Sequence, residues 1–136
     1  MSSAAAKKPR PKYLSLAAFL FEIRFPPSVW VSGFHRISGF LLFLPFTAWA
    51  LYLLDASLAS EQGFRHVRDD YLGSPIAKLA LLVFAWAFLH HFCAGIRFLF
   101  IDMNKGVDLP QARYSSYAVF AVSLLLTLVV GWRLWW

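Results

Sequence analysis

Charge is scarce in this chain. Only 15% of its 136 residues are charged and only seven are acidic, while 60% are hydrophobic. A soluble domain would carry about a quarter of its residues as charges. The scarcity is also uneven: residues 37–54, 79–96 and 114–132 hold no Asp, Glu, Lys or Arg at all. At about 1.5 Å per helical residue, such runs reach roughly the hydrocarbon thickness of a bilayer once a flanking turn is added. A soluble helical bundle would leave the all-round apolarity of residues 118–130 unexplained. The expected architecture is an all-α membrane protein with three transmembrane helices.

Cysteine is nearly absent too. The lone Cys93 excludes an internal disulfide and falls within the second apolar run, where packing accounts for it. No internal repeat or low-complexity tract is evident. Nor does the first apolar run look like a signal sequence: it begins too far along, is too long, and lacks a small-residue cleavage site, so it is expected to remain in the mature protein.

What charge exists is placed informatively. The net charge of +6 invites a nucleic-acid reading, but its distribution argues against one. Lys7, Lys8, Arg10, Lys12, Arg24 and Arg36 precede the first run, and Arg97, Lys105 and Arg113 flank the connection between the second and third. Arg65, Arg68, Lys78 and Arg133 belong to the other side. Nine cations against four put the N-terminus in the cytoplasm and the C-terminus outside.

Punctuation sets the expected organisation. Residues 1–27 read as a cytoplasmic tail followed by a short interfacial segment over 14–25, closed by Pro26-Pro27. Residues 28–136 form the three-helix transmembrane domain, with helices at about 28–58, 75–102 and 113–134. Pro45 should kink the first helix. Residues 55–75 read as a polar external loop with at most one surface turn. Asn104, Gly106 and Pro110 mark a cytoplasmic turn, and Trp132, Trp135 and Trp136 an aromatic anchor at the outer interface.

Two constellations carry chemistry. At the start of the first helix, Ser32, His35, Arg36 and Gly39 are spaced three and four apart and share a stripe at the edge of the hydrocarbon. A hydroxyl, an imidazole and a guanidinium there suit a lipid headgroup, a haem propionate or a quinone carbonyl; Arg36 alone also reads as a snorkelling cation. In the second helix, His91, Ala94, Gly95 and Phe98 share a face, with His90 about 100° round the axis. An ionisable side chain at that depth is a functional-site candidate. Neutral imidazole is a natural haem ligand, and it equally serves as a hydrogen-bonding group between helices. Gly95 either leaves a gap for a bulky group or allows close helix packing. No C-x-x-C-H string is present, so a haem would not be covalently attached. With one convincing ligand and only three helices, a six-coordinate haem would need a second subunit.

Taken in order, Arg10-Pro11, Ile23-Arg24-Phe25-Pro26, Ser32-x-x-His35-Arg36-Ile37-Ser38-Gly39 and His91-x-x-x-Gly95-Ile96-Arg97-x-Leu99-x-x-Asp102 resemble the cytochrome b (large membrane-anchor) subunit of succinate dehydrogenase, respiratory complex II. The resemblance implies half of a two-subunit haem-binding bundle in the bacterial inner (cytoplasmic) membrane. It implies His91 as the axial ligand of haem b, Ser32 and Arg36 as quinone-binding residues, and His35 and Arg97 as haem-propionate contacts. The implied partners are a smaller three-helix anchor subunit supplying the second ligand, an iron–sulfur subunit and an FAD flavoprotein, with ubiquinone as electron acceptor. No substrate-oxidising or flavin motif lies on this chain. Phe98 stands where many relatives carry His or Tyr, and Gly33-Phe34 replaces a usual aliphatic pair. A fumarate reductase anchor, or a haem-free small membrane subunit for assembly or transport, would be the alternatives.

Overall fold

The computed structural model describes Ser15, Ala17 and residues 24–135, and among these it is helical with no strand. The expected tail and interfacial segment of residues 1–27 lie largely outside the described residues. Helix α1 (Pro27–Leu41) continues through a wider turn at Leu42–Phe46 into α2 (Thr47–Ala59). A short α3 (Glu61–Arg65) leads into a second wide turn at His66–Tyr71, followed by α4 (Pro75–Asp102) and α5 (Leu109–Trp135). Three continuous helical stretches, Pro27–Ala59, Pro75–Asp102 and Leu109–Trp135, are long and apolar enough to cross a membrane.

Local chemistry explains the limits of each stretch. Pro27 opens α1 in the first helical turn, where its missing N–H costs nothing. Pro45 interrupts the first span as a π-helical turn, in which each carbonyl reaches five residues ahead. The Thr47 hydroxyl donates to the Leu42 carbonyl at 2.9 Å, adding a side-chain bond across the wider turn. Ser74 caps α4 by accepting from the Ala77 N–H at 3.2 Å, with Pro75 at the first helical position. At the other end, Asn104 and Gly106 adopt positive φ (55° and 73°) and turn the chain back.

Two expectations need correction. The segment read as an external loop is mostly helical: Ser60 Oγ caps α3 through the Gly63 N–H at 2.9 Å, and Glu61–Arg65 and His66–Asp70 pair one turn apart. Polarity had suggested a loop, but here it supplies the helix's cap and ion pairs. The third helix, expected from about residue 113, already starts at Leu109, because Pro110 sits in its first turn instead of stopping it.

Packing is inverted relative to a water-soluble bundle. Val31, Ala94 and Val119, one from each span, meet at the centre with Cys93, Phe98 and Phe120 around them. The other buried side chains are mainly small or polar: Ser38, His90, Arg97, Ser116, Ser123 and Thr127. Large apolar residues such as Phe43, Ile76 and Leu128 face outward. In lipid, helices associate through small residues and satisfied hydroxyls, since the surroundings are as apolar as leucine. Along α5, Ser116, Ser123 and Thr127 return their hydroxyls to carbonyls of their own helix, leaving a smooth face for close packing.

Candidate functional site

The site lies where α1 crosses α4. His91, half-buried, brings Nδ1 to 3.0 Å from the His35 carbonyl and 3.2 Å from Ser38 Oγ. A carbonyl only accepts, so Nδ1 carries the proton; the Ser38 hydroxyl is itself occupied as a donor to the His35 carbonyl at 2.9 Å. Nε2 is then left with a free lone pair and has no hydrogen-bond partner among the described residues. A ring N–H anchored on a backbone carbonyl, with the other nitrogen open, is how proteins orient an imidazole for metal ligation.

His35 lies flat against His91, with ring centroids 4.0 Å apart and planes 15° from parallel. Two glycines make room for the pair. A Cβ on Gly39 would stand 3.0 Å from His91 Cε1, and one on Gly95 3.8 Å from His35 Nε2. Phe98 borders the pair, 5.2 Å from the His35 ring. Gly95 therefore receives a side chain of α1, and the small residues on both helices serve this crossing.

The four-residue stripe on α1 divides. His35 and Gly39 turn to α4, Arg36 is exposed, and Ser32 is partly covered. Arg36 has no ion pair or hydrogen bond among the described residues. Ser32 and Arg36 remain one helical turn apart on an open flank, free to meet a ligand or another protein.

Arg97 is not brought to the histidine pair. It is buried and directed to α5, where Nε donates to Ser115 Oγ at 3.0 Å and Nη2 to the Ala112 carbonyl at 3.4 Å. Phe98 stands on its other side, with the guanidinium carbon 5.5 Å from the ring centroid. The structure thus gives Arg97 a part in joining α4 to α5.

Ser38, quoted in the sequence motif but given no role there, is fully buried and in contact with His91. Its spacing of three from His35 was the available signal. His90 points the other way, into a cage of Phe34, Trp86 and Phe120 with ring centroids 5.4–6.0 Å away. It is fully buried, and neither of its ring nitrogens has a hydrogen-bond partner among the described residues. Among the described residues no three His, Cys, Asp or Glu side chains converge on one point, so a bare metal ion has no chelating cluster. One open imidazole suits a metal whose remaining ligands come with a prosthetic group or a partner.

A sequence model of the succinate dehydrogenase/fumarate reductase transmembrane subunit matches residues 7–130. The chain is 38% identical over 126 residues to a succinate dehydrogenase cytochrome b556 subunit of Coxiella burnetii, covering 93% of this chain and 97% of that one. It is 34% identical over 103 residues to the subunit of that name in Rickettsia typhi, covering 74% and 76%. Against the Paracoccus denitrificans subunit it is 30% identical over 114 residues, covering 84% and 86%. Matched along nearly its whole length, with three membrane-spanning helices and a histidine pair at the crossing of the first two, the chain belongs to the family of succinate dehydrogenase/fumarate reductase transmembrane subunits.

Proposed function

We propose that this subunit holds haem b and forms part of the ubiquinone-reducing site of a succinate:quinone oxidoreductase in the bacterial inner membrane. The observation that carries the reading is the His91 imidazole, fixed through Nδ1 and open at Nε2. His91 would be one axial ligand. The opposite ligand would come from a smaller three-helix anchor subunit, because three helices with a half-buried imidazole enclose no porphyrin by themselves. His35, one ring thickness away, would contact a propionate. When bound, haem b supplies a one-electron carrier within the hydrocarbon, its potential set by axial ligation and burial.

The chain's own residues would do three things. Ser38 and the His35 carbonyl hold the His91 ring at one angle, and Gly39 and Gly95 let the helices come close enough for that. Ser32 and Arg36 would bind the quinone: the hydroxyl donates to a carbonyl oxygen, and the guanidinium stabilises negative charge that develops there during reduction. Arg36 is suited to this because no carboxylate among the described residues neutralises it. Its position just before an uncharged run supports a site at the membrane edge, where water would deliver the two protons that reduction consumes. Electrons would arrive from an iron–sulfur subunit fed by an FAD flavoprotein, both on the cytoplasmic side with the N-terminus.

The test is a reduced-minus-oxidised visible spectrum of the complex purified with its partner subunits. His91→Leu should abolish or shift the haem bands, while His90→Leu should leave them in place. Unchanged bands in a His91→Leu complex would remove this residue as ligand.

A further inference from the structure

Where α4 ends and α5 begins, the two helices part around a groove of about 410 Å³. Ile96, Phe100 and Ala118 line its apolar length, and Arg97 and Lys105 its cationic part. Arg97 is only 7% exposed, yet among the described residues no carboxylate lies within ion-pair distance of it or of Lys105. Its hydrogen bonds go to neutral oxygens of Ser115 and Ala112. Neutral acceptors satisfy N–H groups without cancelling the charge, and a guanidinium removed from water without a counter-ion is costly to keep.

We infer that this groove binds one anionic phospholipid, its phosphate held by Arg97 and Lys105 and an acyl chain lying along Ile96, Phe100 and Ala118. An amphiphile matches both halves of the lining. Free phosphate would leave the apolar wall uncovered, and a neutral quinone would leave the charge uncompensated. The planar guanidinium suits phosphate geometry, and basic pockets between spanning helices near the membrane surface hold anionic headgroups. Neither His91 nor Arg36 lines the groove, so the inference leaves the axial-ligand and quinone assignments as they are and gives Arg97 to a lipid phosphate in place of a haem propionate.

The test uses the assembled complex, purified in detergent and delipidated, with dioleoyl phosphatidylglycerol added back and counted by native mass spectrometry. The unaltered complex should retain one lipid more than Arg97→Gln and Ala118→Trp complexes. Ala118 is exposed, so its replacement fills the groove without entering the core and serves even where Arg97→Gln fails to assemble. Dioleoyl phosphatidylcholine, lacking net charge, should be retained about tenfold less well, and excess inorganic phosphate should not displace the bound lipid. Equal retention in all three complexes would overturn the inference. So would displacement by inorganic phosphate, or a benzoylphenylalanine photocrosslinker at position 118 that captures a protein segment in place of lipid.

Discussion

Ser32 and Arg36 offer a hydroxyl and a cation one turn apart on the open flank of α1, and that pairing can be tested directly. Removing a donor aimed at developing charge lowers the rate by tenfold or more, on the order of a hundredfold in well-formed sites. Ser32→Ala and Arg36→Leu should therefore depress succinate:quinone reductase activity by about tenfold or more, while succinate oxidation with an artificial dye acceptor stays near its original level. Loss of both activities in proportion would point to failed assembly and remove the quinone assignment. The sequence made His91 legible at this scale through its spacing to Gly95. Ser38 was harder to read, because a hydroxyl within a helix usually bonds its own backbone, and only the crossing of α1 over α4 brings it to His91. Arg97, six residues beyond His91, lies about 120° away round the helix, on the face turned to α5, and only that crossing shows its bonds to Ser115 and Ala112.

Among the elements, the approach of α1 to α4 is the one most sensitive to a single atom. Gly33 and Gly39 belong to the same helix but differ in surroundings: a Cβ at Gly33 meets nothing within 4 Å, whereas at Gly39 it meets His91 Cε1 at 3.0 Å. Gly33→Ala should stabilise α1 by up to about 1 kcal/mol through helix propensity alone. Gly39→Ala should move the His91 ring by a few tenths of an ångström and, on the proposed ligation, shift the haem midpoint potential; Gly33→Ala should leave that potential unchanged. Redox titration of the two complexes distinguishes them, and identical potentials would mean that the crossing tolerates an extra methyl. The sequence was read least well between the first two spans. Glycines and charges suggested a loop there, although Ser60 and the one-turn charge pairs encode a capped helix. Its glycines serve close packing: a Cβ on Gly63 would collide with the Ala56 carbonyl oxygen.

For the whole molecule, length and the absence of charge were enough to read three spans, because a long uncharged run satisfies its backbone groups in hydrocarbon within its own segment only as a helix. Which spans touch, and through which faces, was not legible: the apolar residues surround each helix, and the buried ones are distinguished by being small or polar. The asymmetry of Lys and Arg is what supports the proposed orientation, with the N-terminus in the cytoplasm. Alkaline phosphatase fused after residue 136 should be active outside the cytoplasm and, when fused within residues 103–108, inactive; the opposite pattern would reverse the proposed topology.

The π-helical turn at Leu42–Phe46 resets the phase of everything beyond it. It accommodates one extra residue, so side chains from Thr47 onward sit about 100° from where an uninterrupted helical wheel would put them. Beyond the turn, Trp49 packs on Phe84 at a centroid separation of 5.6 Å, beside Phe46 of the turn itself at 4.9 Å. A wheel drawn from Ser38 therefore fails for the second half of the span. A chimera that exchanges that half between relatives must carry the bulge with it, or its indole will face acyl chains.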